Sequence, residues 1–360
     1  MLQLARKTRL GRRILGASPH TVIKEDPPHH SPTPVYTLDD ADVVMGLKDP
    51  IALHHQISRQ ITGVPGEAAE LAYKNDLMPI PQPEQLWTTE SEKIIHQTSK
   101  ELVDLLDTYQ PEELGGHIAF LDHEFMTKYL YQNTLRVVRC HEMLKSQGLQ
   151  QGSILEIGSY FGSFALAFKR LGYEVTAVDR YDSYGSAFSG YMDLIKHEGI
   201  NVVSTSRENE HDMTASLGEF DAVISMAVVE HIPHTPRLFL KMLKDHIRPG
   251  GIVAMDTPNV ARWWNVQHLS EGQTVFQDLS SQFHCTIPYE GHHREYTGAE
   301  IEWMLNEMGF EGTKIDYFDF NLLQFQEVDR PHIRCFLDVV TNPKVADTIL
   351  ASGKVPLDEC

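Results

Sequence analysis

The rhythm of the chain from Ser153 onward restricts its fold more than any other feature. Short runs rich in β-branched residues alternate there with stretches of helical spacing, which is typical of a parallel sheet with crossover helices. The pattern predicts strands at 154–157, 174–179, 201–204, 221–225 and 252–256. Two later runs, 314–320 and 333–340, leave no room for a helix between them and should pair antiparallel. We therefore expect an α/β fold with a mostly parallel sheet of seven strands and an antiparallel C-terminal strand.

Composition divides the rest of the chain. The first 24 residues carry six basic side chains and no acid, which resembles a transit peptide but also fits a solvated tail. Residues 25–34 are too rich in proline for a helix or a central strand. The predicted units are a flexible tail at 1–35, a mainly helical extension at 36–120 that forms a cap or a dimer contact, a catalytic domain at 121–345 with an insertion at 258–296, and a C-terminal tail at 346–360.

Charge and cysteine content narrow the classes of partner. The formal net charge is −19, which opposes binding to a polyanion, because nucleic-acid binders gain affinity from Lys and Arg. The four cysteines form no C-x-x-C pair, so neither disulfide stapling nor a structural zinc site is indicated. No apolar run is long enough to cross a membrane. We expect a cytoplasmic protein that acts on a small molecule without nucleic acid or membrane, with a homodimer as one option.

A glycine turn follows the first predicted strand. The segment Ile154-Leu-Glu-Ile-Gly-Ser-Tyr-Phe-Gly-Ser163 places a buried strand before Gly158 and Gly162 and a helix after them. Ligands of open α/β sheets bind beyond the carboxyl ends of the strands, and glycines there let the backbone approach an adenosyl ligand closely. Asp179 ends the next strand, where its carboxylate can accept hydrogen bonds from both ribose hydroxyls.

The glycine spacing separates two classes of nucleotide. The dinucleotide fingerprint G-x-G-x-x-G requires glycine where this chain has Tyr160 and Ser163, so a nicotinamide-dependent oxidoreductase is disfavoured. The observed pattern, acid-x-G-x-x-x-G with Glu156 as the acid, resembles the first motif of the class I S-adenosylmethionine-dependent methyltransferases. Glu156 would then oppose the cationic methionine end of the cofactor, where a pyrophosphate would be repelled.

Two later segments strengthen this resemblance. The segment from Phe220 to Pro233, and the turn Arg248-Pro-Gly-Gly251 with a strand that ends in Met255-Asp-Thr-Pro-Asn259, are similar to the ubiquinone-biosynthesis-like branch of that family. The resemblance covers about 132–340 and implies a Rossmann-like sheet with S-adenosylmethionine as the cofactor. It implies cofactor contacts from Glu156, Gly158, Tyr160, Gly162, Asp179, Arg180, Asp212, Met213 and Ser225. Two alternatives stay open: Asn209 in place of Asp212, and a Tyr160 ring that folds over the loop or touches the acceptor.

Histidines beyond the strand ends are the candidates for proton transfer. Methyl transfer to a hydroxyl requires an enzyme to position the acceptor and to accept its proton. His231 follows the fourth strand, where it is a candidate base or a residue that orients the turn. His292 and His293 are candidate bases or loop anchors, and their segment, 291–297, resembles one in bacterial methyltransferases that modify glycans and secondary metabolites.

The sequence thus favours a methyltransferase of a small polar acceptor, with O-methylation of a sugar or metabolite as the expected reaction. An N- or C-methyltransferase of a secondary metabolite and a catalytically silent S-adenosylmethionine-binding scaffold are the alternatives. The aromatic-rich insertion at 258–296 is predicted to cover the acceptor pocket. The sequence shows no convincing metal triad of histidines and carboxylates, so no metal is expected.

Overall fold

A computed structural model describes residues 78–79, 87, 89–106, 108, 123–181, 188–205, 216–277, 279–285, 289, 291–318, 327–328 and 342–357. All of them belong to one compact unit, Tyr36–Cys360. The predicted tail at 1–35, the predicted strand at 333–340, and the candidate residues Asn209, Asp212 and Met213 lie outside the described residues. No helix in the described part of the chain combines the length and the apolar character that a membrane-crossing segment needs.

Nine strands occur among the described residues: β1 Met78–Pro79, β2 Ser153–Ile157, β3 Glu174–Asp179, β4 Asn201–Ser204, β5 Phe220–Met226, β6 Ile247–Pro258, β7 Glu311–Phe318, β8 Glu327–Val328 and β9 Thr348–Lys354. Seven of them form one sheet in the order β4-β3-β2-β5-β6-β9-β7, and β1 pairs with β8. The five strands from β4 to β6 are parallel, whereas β9 runs antiparallel to both β6 and β7. The predicted mostly parallel sheet of seven strands is confirmed.

The antiparallel strand lies further along the chain than the sequence indicated. We expected it at 333–340, followed by a tail from residue 346, but the strand between β6 and β7 is β9. Its sequence, Thr-Ile-Leu-Ala-Ser-Gly-Lys, is poor in the β-branched and aromatic residues that favour strands. Its burial instead comes from its position between two neighbours, which no local pattern reveals.

Eight α-helices are described: α1 Glu90–Leu106, α2 His123–Ser146, α3 Ser163–Arg170, α4 Phe188–His197, α5 Pro236–Lys244, α6 Trp263–Ser270, α7 Leu279–His284 and α8 Gly298–Glu307. Thr89 and Glu92 form a reciprocal capping box at the start of α1, with hydrogen bonds of 2.7 and 3.2 Å. Thr297 and Glu300 form another at the start of α8.

The helices cover both faces of the sheet. Alternate residues of a strand point to opposite faces, so Ile154 of β2 packs with Leu102 of α1 and Ala165 of α3, while Leu155 packs with residues of α5 and α8. The helix α1 of the predicted extension therefore belongs to the core of one face. Because helices cover both faces of the sheet, we expect a ligand to bind where the strands end. The turns that follow the carboxyl ends of the parallel strands form such a place.

Candidate active site

The glycine turn after β2 depends on backbone conformation. Gly158, Tyr160 and Gly162 have positive φ angles of 83°, 48° and 76°. A Cβ atom on Gly158 would lie 2.4 Å from Cγ2 of Val228, and one on Gly162 would lie 2.5 Å from Cδ1 of Ile195. From the sequence, glycine was expected at these positions because a ligand needs the space. In the structure, their φ angles and the close contact with protein side chains already require glycine.

Asp179, at the end of β3, joins that strand to the glycine turn. Its Oδ2 accepts a hydrogen bond from the backbone N–H of Tyr160 at 2.6 Å, and its Oδ1 accepts one from the N–H of Arg180 at 2.6 Å. An ionised carboxylate can accept about four hydrogen bonds, and these two hold the glycine turn against the end of β3. The backbone N–H of Arg180 is part of this arrangement.

Glu156 is the buried acid of the turn and has one oxygen without a donor. The side chain is 1% exposed, and Oε2 has no hydrogen-bond partner among the described residues. Burial raises the pKa of Glu156 well above its usual range, and the charge of Asp179 adds to this, while a hydrogen bond to the Ala165 backbone and the charge of Arg136 oppose it. A cationic nitrogen beside Oε2 would supply the missing donor and favour the ionised form. The methionine amino group of the predicted cofactor fits this requirement.

Tyr160 and Ser225 contact the protein itself. The ring of Tyr160 meets the ring of Phe161 edge to face at a centroid distance of 4.4 Å and that of Tyr129 at 6.2 Å. Burial raises the pKa of the Tyr160 hydroxyl, with smaller contributions from Tyr129 and Asp179. These contacts favour the alternative in which the ring folds over the loop. The buried hydroxyl of Ser225 donates to the carbonyl of Ile157 on the neighbouring strand, at 3.1 Å.

The turn after β5 carries Glu230, which is completely buried. Its Oε2 accepts a hydrogen bond from the hydroxyl of Thr257 at 3.0 Å, and its Oε1 has no partner among the described residues. Its backbone carbonyl accepts from the N–H groups of His293, at 2.7 Å, and Arg294, at 3.3 Å. Burial raises the pKa of the Glu230 carboxyl to about 7, although the charge of His292 opposes this. Glu230 thus joins this turn to the 291–297 segment.

Two of the three candidate histidines come together, and the third does not. The rings of His231 and His292 lie 4.7 Å apart between centroids at an interplanar angle of 83°. The exposed His293 instead places its Nε2 3.1 Å from the carbonyl oxygen of Tyr289. His231 and His292 are therefore the better placed pair for proton transfer, whereas His293 contacts its own loop.

A carboxylate orients His292. The Nδ1 atom of His292 lies 2.9 Å from Oε1 of Glu295, and Arg262 donates to both oxygens of Glu295 at 2.6 and 3.2 Å. Burial alone would raise the pKa of Glu295, but the hydrogen bonds from His292 and Arg262 outweigh it and hold this pKa below its usual range. Glu295 thus remains ionised and favours a proton on Nδ1, which leaves Nε2 of His292 as the acceptor atom. Glu295 and Arg262 were not predicted from the sequence, although the His-x-x-Glu spacing of His292 and Glu295 was a usable signal.

A buried ion pair between Arg136 and Asp256 stabilises the turn after β5. Arg136 of α2 donates through Nε and Nη2 to both oxygens of Asp256, at the end of β6, at 2.9 and 2.7 Å. Oδ1 of Asp256 also accepts from the N–H of Ala227 at 2.8 Å, and Ala227 has a positive φ of 55°. The pair thus holds the strained start of the turn that leads to Glu230. These residues are far apart in the chain, and no local pattern pairs them.

The glycine turn and the histidine pair share one edge of the sheet. β2 and β5 are neighbouring parallel strands, so the turns that follow them meet. The contact of Val228 with the position of Gly158 shows this directly. Beside this edge, the insertion carries α6 and α7, where the rings of Trp263 and Trp264 lie 5.3 Å apart. The glycine turn and the turn that carries His231 are therefore adjacent.

Known proteins resemble the chain in this region. The family model of the methyltransferase domain matches residues 111–315. The ubiquinone biosynthesis O-methyltransferase of Rickettsia conorii is 28% identical over 32% of this chain and 37% of its own length. That of Rickettsia akari is 30% identical over 31% of this chain and 42% of its own length, so less than half of each relative is matched. A solved S-adenosylmethionine-dependent methyltransferase from Archaeoglobus fulgidus is 18% identical, with 63% of this chain and 98% of that chain covered and a TM-score of 0.38.

Proposed function

Because the chain belongs to the methyltransferase domain family, and is a class I S-adenosylmethionine-dependent methyltransferase in fold and cofactor, we propose that it methylates a hydroxyl of a small polar acceptor. A sugar or a similar metabolite is the expected acceptor. The observation that carries this proposal is the His231–His292 pair beside the glycine turn. The cytoplasmic location, the absence of nucleic-acid and membrane partners, and a homodimer are parts of the same proposal.

We assign the cofactor to the edge formed by the turns after β2 and β3. The cofactor supplies an activated methyl group when bound. Glu156 would accept a hydrogen bond from its amino group and Asp179 from the ribose hydroxyls, and contacts with the protein backbone orient both carboxylates. Buried, pre-oriented carboxylates are suited to this role because little ordering is needed when the ligand arrives.

The histidine pair supports O-methylation more than methylation of a neutral amine. The pKa of a hydroxyl is far above 7, so its proton must leave as the methyl group is transferred, and a positioned base typically contributes about 10²–10⁴ in rate. Glu295 favours the tautomer of His292 in which Nε2 can accept that proton. His231 lies beside it as a second acceptor, and His293 is the third candidate from the sequence.

The proposal is tested first by cofactor binding. Calorimetric titration should give micromolar affinity for S-adenosylmethionine and no binding of nicotinamide dinucleotides. Glu156→Gln and Asp179→Asn keep the side-chain shapes and should each weaken binding by about 1.5–3 kcal/mol, as expected for a charge-assisted hydrogen bond. Asp245→Ala, on the exposed end of α5, is the matched control and should bind normally. Tighter binding of NAD would overturn the assignment.

Methyl transfer is tested next with labelled cofactor and a polar metabolite extract. His292→Ala should lower kcat about 10²–10⁴-fold while the cofactor Kd stays unchanged. Cofactor binding without transfer to any fraction would favour the silent scaffold. Transfer to amines alone, unaffected by His231→Ala, His292→Ala or His293→Ala, would favour N-methylation.

A further inference from the structure

The described residues contain one group of three side chains that could bind a metal ion. A carboxylate oxygen of Glu230 and one ring nitrogen each of His231 and His292 lie within 4.8 Å of one another. Two imidazoles and a carboxylate form the protein ligand set of several catalytic zinc sites, and imidazole nitrogen also suits other divalent transition metals. The three side chains come from two segments that the backbone of Glu230 holds together.

An independent observation points to a missing ligand in this group. Glu230 is completely buried, yet its Oε1 has no hydrogen-bond partner among the described residues. Such an atom has lost its hydrogen bonds to water and gained none from the protein, which is unfavourable for a buried carboxylate. Thr257 holds the other oxygen, Oε2, and thereby fixes the carboxylate plane. A cation bound to Oε1 would neutralise the buried charge and supply the missing partner.

The residues that contact His292 are also arranged as they are around a histidine that binds a metal. Histidine ligands usually donate their other ring N–H to a carboxylate or carbonyl, which fixes the tautomer and the ring orientation. His292 has this arrangement, because its Nδ1 contacts Glu295 and Arg262 holds Glu295 through two hydrogen bonds. Nε2 of His292 is therefore presented as a ligand atom. His231 is exposed, so a coordination position would remain open toward solvent and an acceptor.

The separation of the three ligand atoms requires only a small closure. With metal–ligand bonds near 2.1 Å, ligands in a tetrahedral zinc site lie about 3.4 Å apart. The present separations of up to 4.8 Å would have to shorten by about an ångström or more, which changes of side-chain rotamer would have to supply.

We propose that Glu230, His231 and His292 bind one divalent transition cation, with Zn²⁺ as the best match to the ligand set. Binding itself stands apart from the proposed function, but its chemical role rests on that function. A hydroxyl that coordinates such a cation loses its proton at lower pH. With the cation bound, the ring nitrogens of His231 and His292 that coordinate it could not accept the proton of the acceptor hydroxyl, and this proton would pass to water.

The test is cation binding by the full chain without cofactor or acceptor. Protein treated with a chelator and dialysed is titrated with Zn²⁺ against a chromogenic chelator, and with Co²⁺ while its visible spectrum is followed. We expect one equivalent bound with micromolar affinity or better. His292→Ala and Glu230→Gln should each weaken binding at least 100-fold, and Glu295→Gln should weaken it about 10–100-fold through loss of orientation. His234→Ala, an exposed histidine three residues from His231, should bind as the wild type does.

Circular dichroism confirms that each variant is folded, and Glu230→Gln keeps the side-chain volume. Failure of the wild type to bind either ion would overturn the inference. Equal binding by the wild type, His231→Ala and His292→Ala would also overturn it, because other histidines would then hold the ion. A chain that binds the cation but transfers no methyl group would refute the proposed function alone. Transfer that persists in chelator, together with no cation binding, would refute this inference alone.

Discussion

At the scale of a single residue, His141 is expected to couple the stability of the fold to pH. It is buried on α2, with its ring edge to face against Phe168 and Tyr173 at centroid distances of 6.1 Å each. Burial lowers the pKa of His141 to about 4, and the charge of Lys145 acts in the same direction. In the unfolded chain a histidine titrates near 6.5. The unfolded state therefore binds the proton first as pH falls.

This difference predicts acid destabilisation. The stabilisation from neutral His141 is complete above the pKa of the unfolded state and is lost as pH falls from about 6.5 toward 4. In this range the unfolded state binds a proton at His141 and the folded state does not. Between pH 7 and pH 5 the free energy of unfolding should drop by about 1–2 kcal/mol through this residue. Denaturant unfolding at both pH values measures the drop, and His141→Leu should reduce it by that amount.

The exposed His197 at the end of α4 provides the control, since His197→Ala should leave the pH dependence unchanged. An unaltered pH dependence in His141→Leu would contradict the prediction.

At the scale of single residues, the site residues that could be predicted are those that belong to a local sequence pattern. Spacing along one βα unit predicted Glu156, Asp179 and the glycines as site residues. Position beyond the strand ends predicted the histidines. Arg136 and Asp256 could not be paired in advance, because their contact depends on how α2 lies across the sheet. Glu230 was not predicted as a site residue, since complete burial of a carboxylate is a property of the folded chain.

At the scale of the element, the glycine turn allows a test that separates backbone strain from crowding. Gly158 has a φ of 83° and would place a Cβ 2.4 Å from Val228, whereas Gly172 has a φ of 94° and no atom within 4 Å of a Cβ. Alanine at either position should cost about 1–2 kcal/mol for the left-handed conformation. Gly158→Ala should cost about 1–3 kcal/mol more, because Val228 must move.

Denaturant unfolding of both variants measures the two contributions, and cofactor titration should show weaker binding only for Gly158→Ala. Equal destabilisation by the two substitutions would mean that Val228 yields freely and that the turn is set by φ alone.

The strands show which elements a local pattern can predict. β3 and β4 were predicted with their observed bounds, since each is a short apolar run between clear breaks. β6 proved longer than expected, because the Arg248-Pro-Gly-Gly251 turn signal lies within the strand, near the register shift between β5 and β6. β9 was missed altogether, because Ala, Ser and Gly become strand residues there through pairing on both sides.

At the scale of the whole molecule, β9 makes the seven-stranded sheet continuous. It pairs with β6 along Ile252–Pro258 and with β7, so among the described strands it alone links β7 to the rest of the seven-stranded sheet. Ile349, Leu350 and Ala351 are buried almost completely, with residues of both core faces around them. The turn after β5 depends on β6, because Asp256 accepts a hydrogen bond from Ala227 and Thr257 donates one to Glu230. The C-terminal strand should therefore support a site to which it contributes no side chain.

Deletion of residues 347–360 should abolish cooperative folding, since it exposes the edge of β6 and detaches β7. The milder Leu350→Ala should lower the free energy of unfolding by about 2–5 kcal/mol, as for a large-to-small change in a packed core. Thermal unfolding followed by circular dichroism measures both, and deletion of residues 358–360, which leaves β9 intact, should unfold as the full chain does. If the longer deletion unfolded cooperatively at the wild-type temperature and still bound cofactor, β9 would be dispensable and the sheet would end functionally at β6.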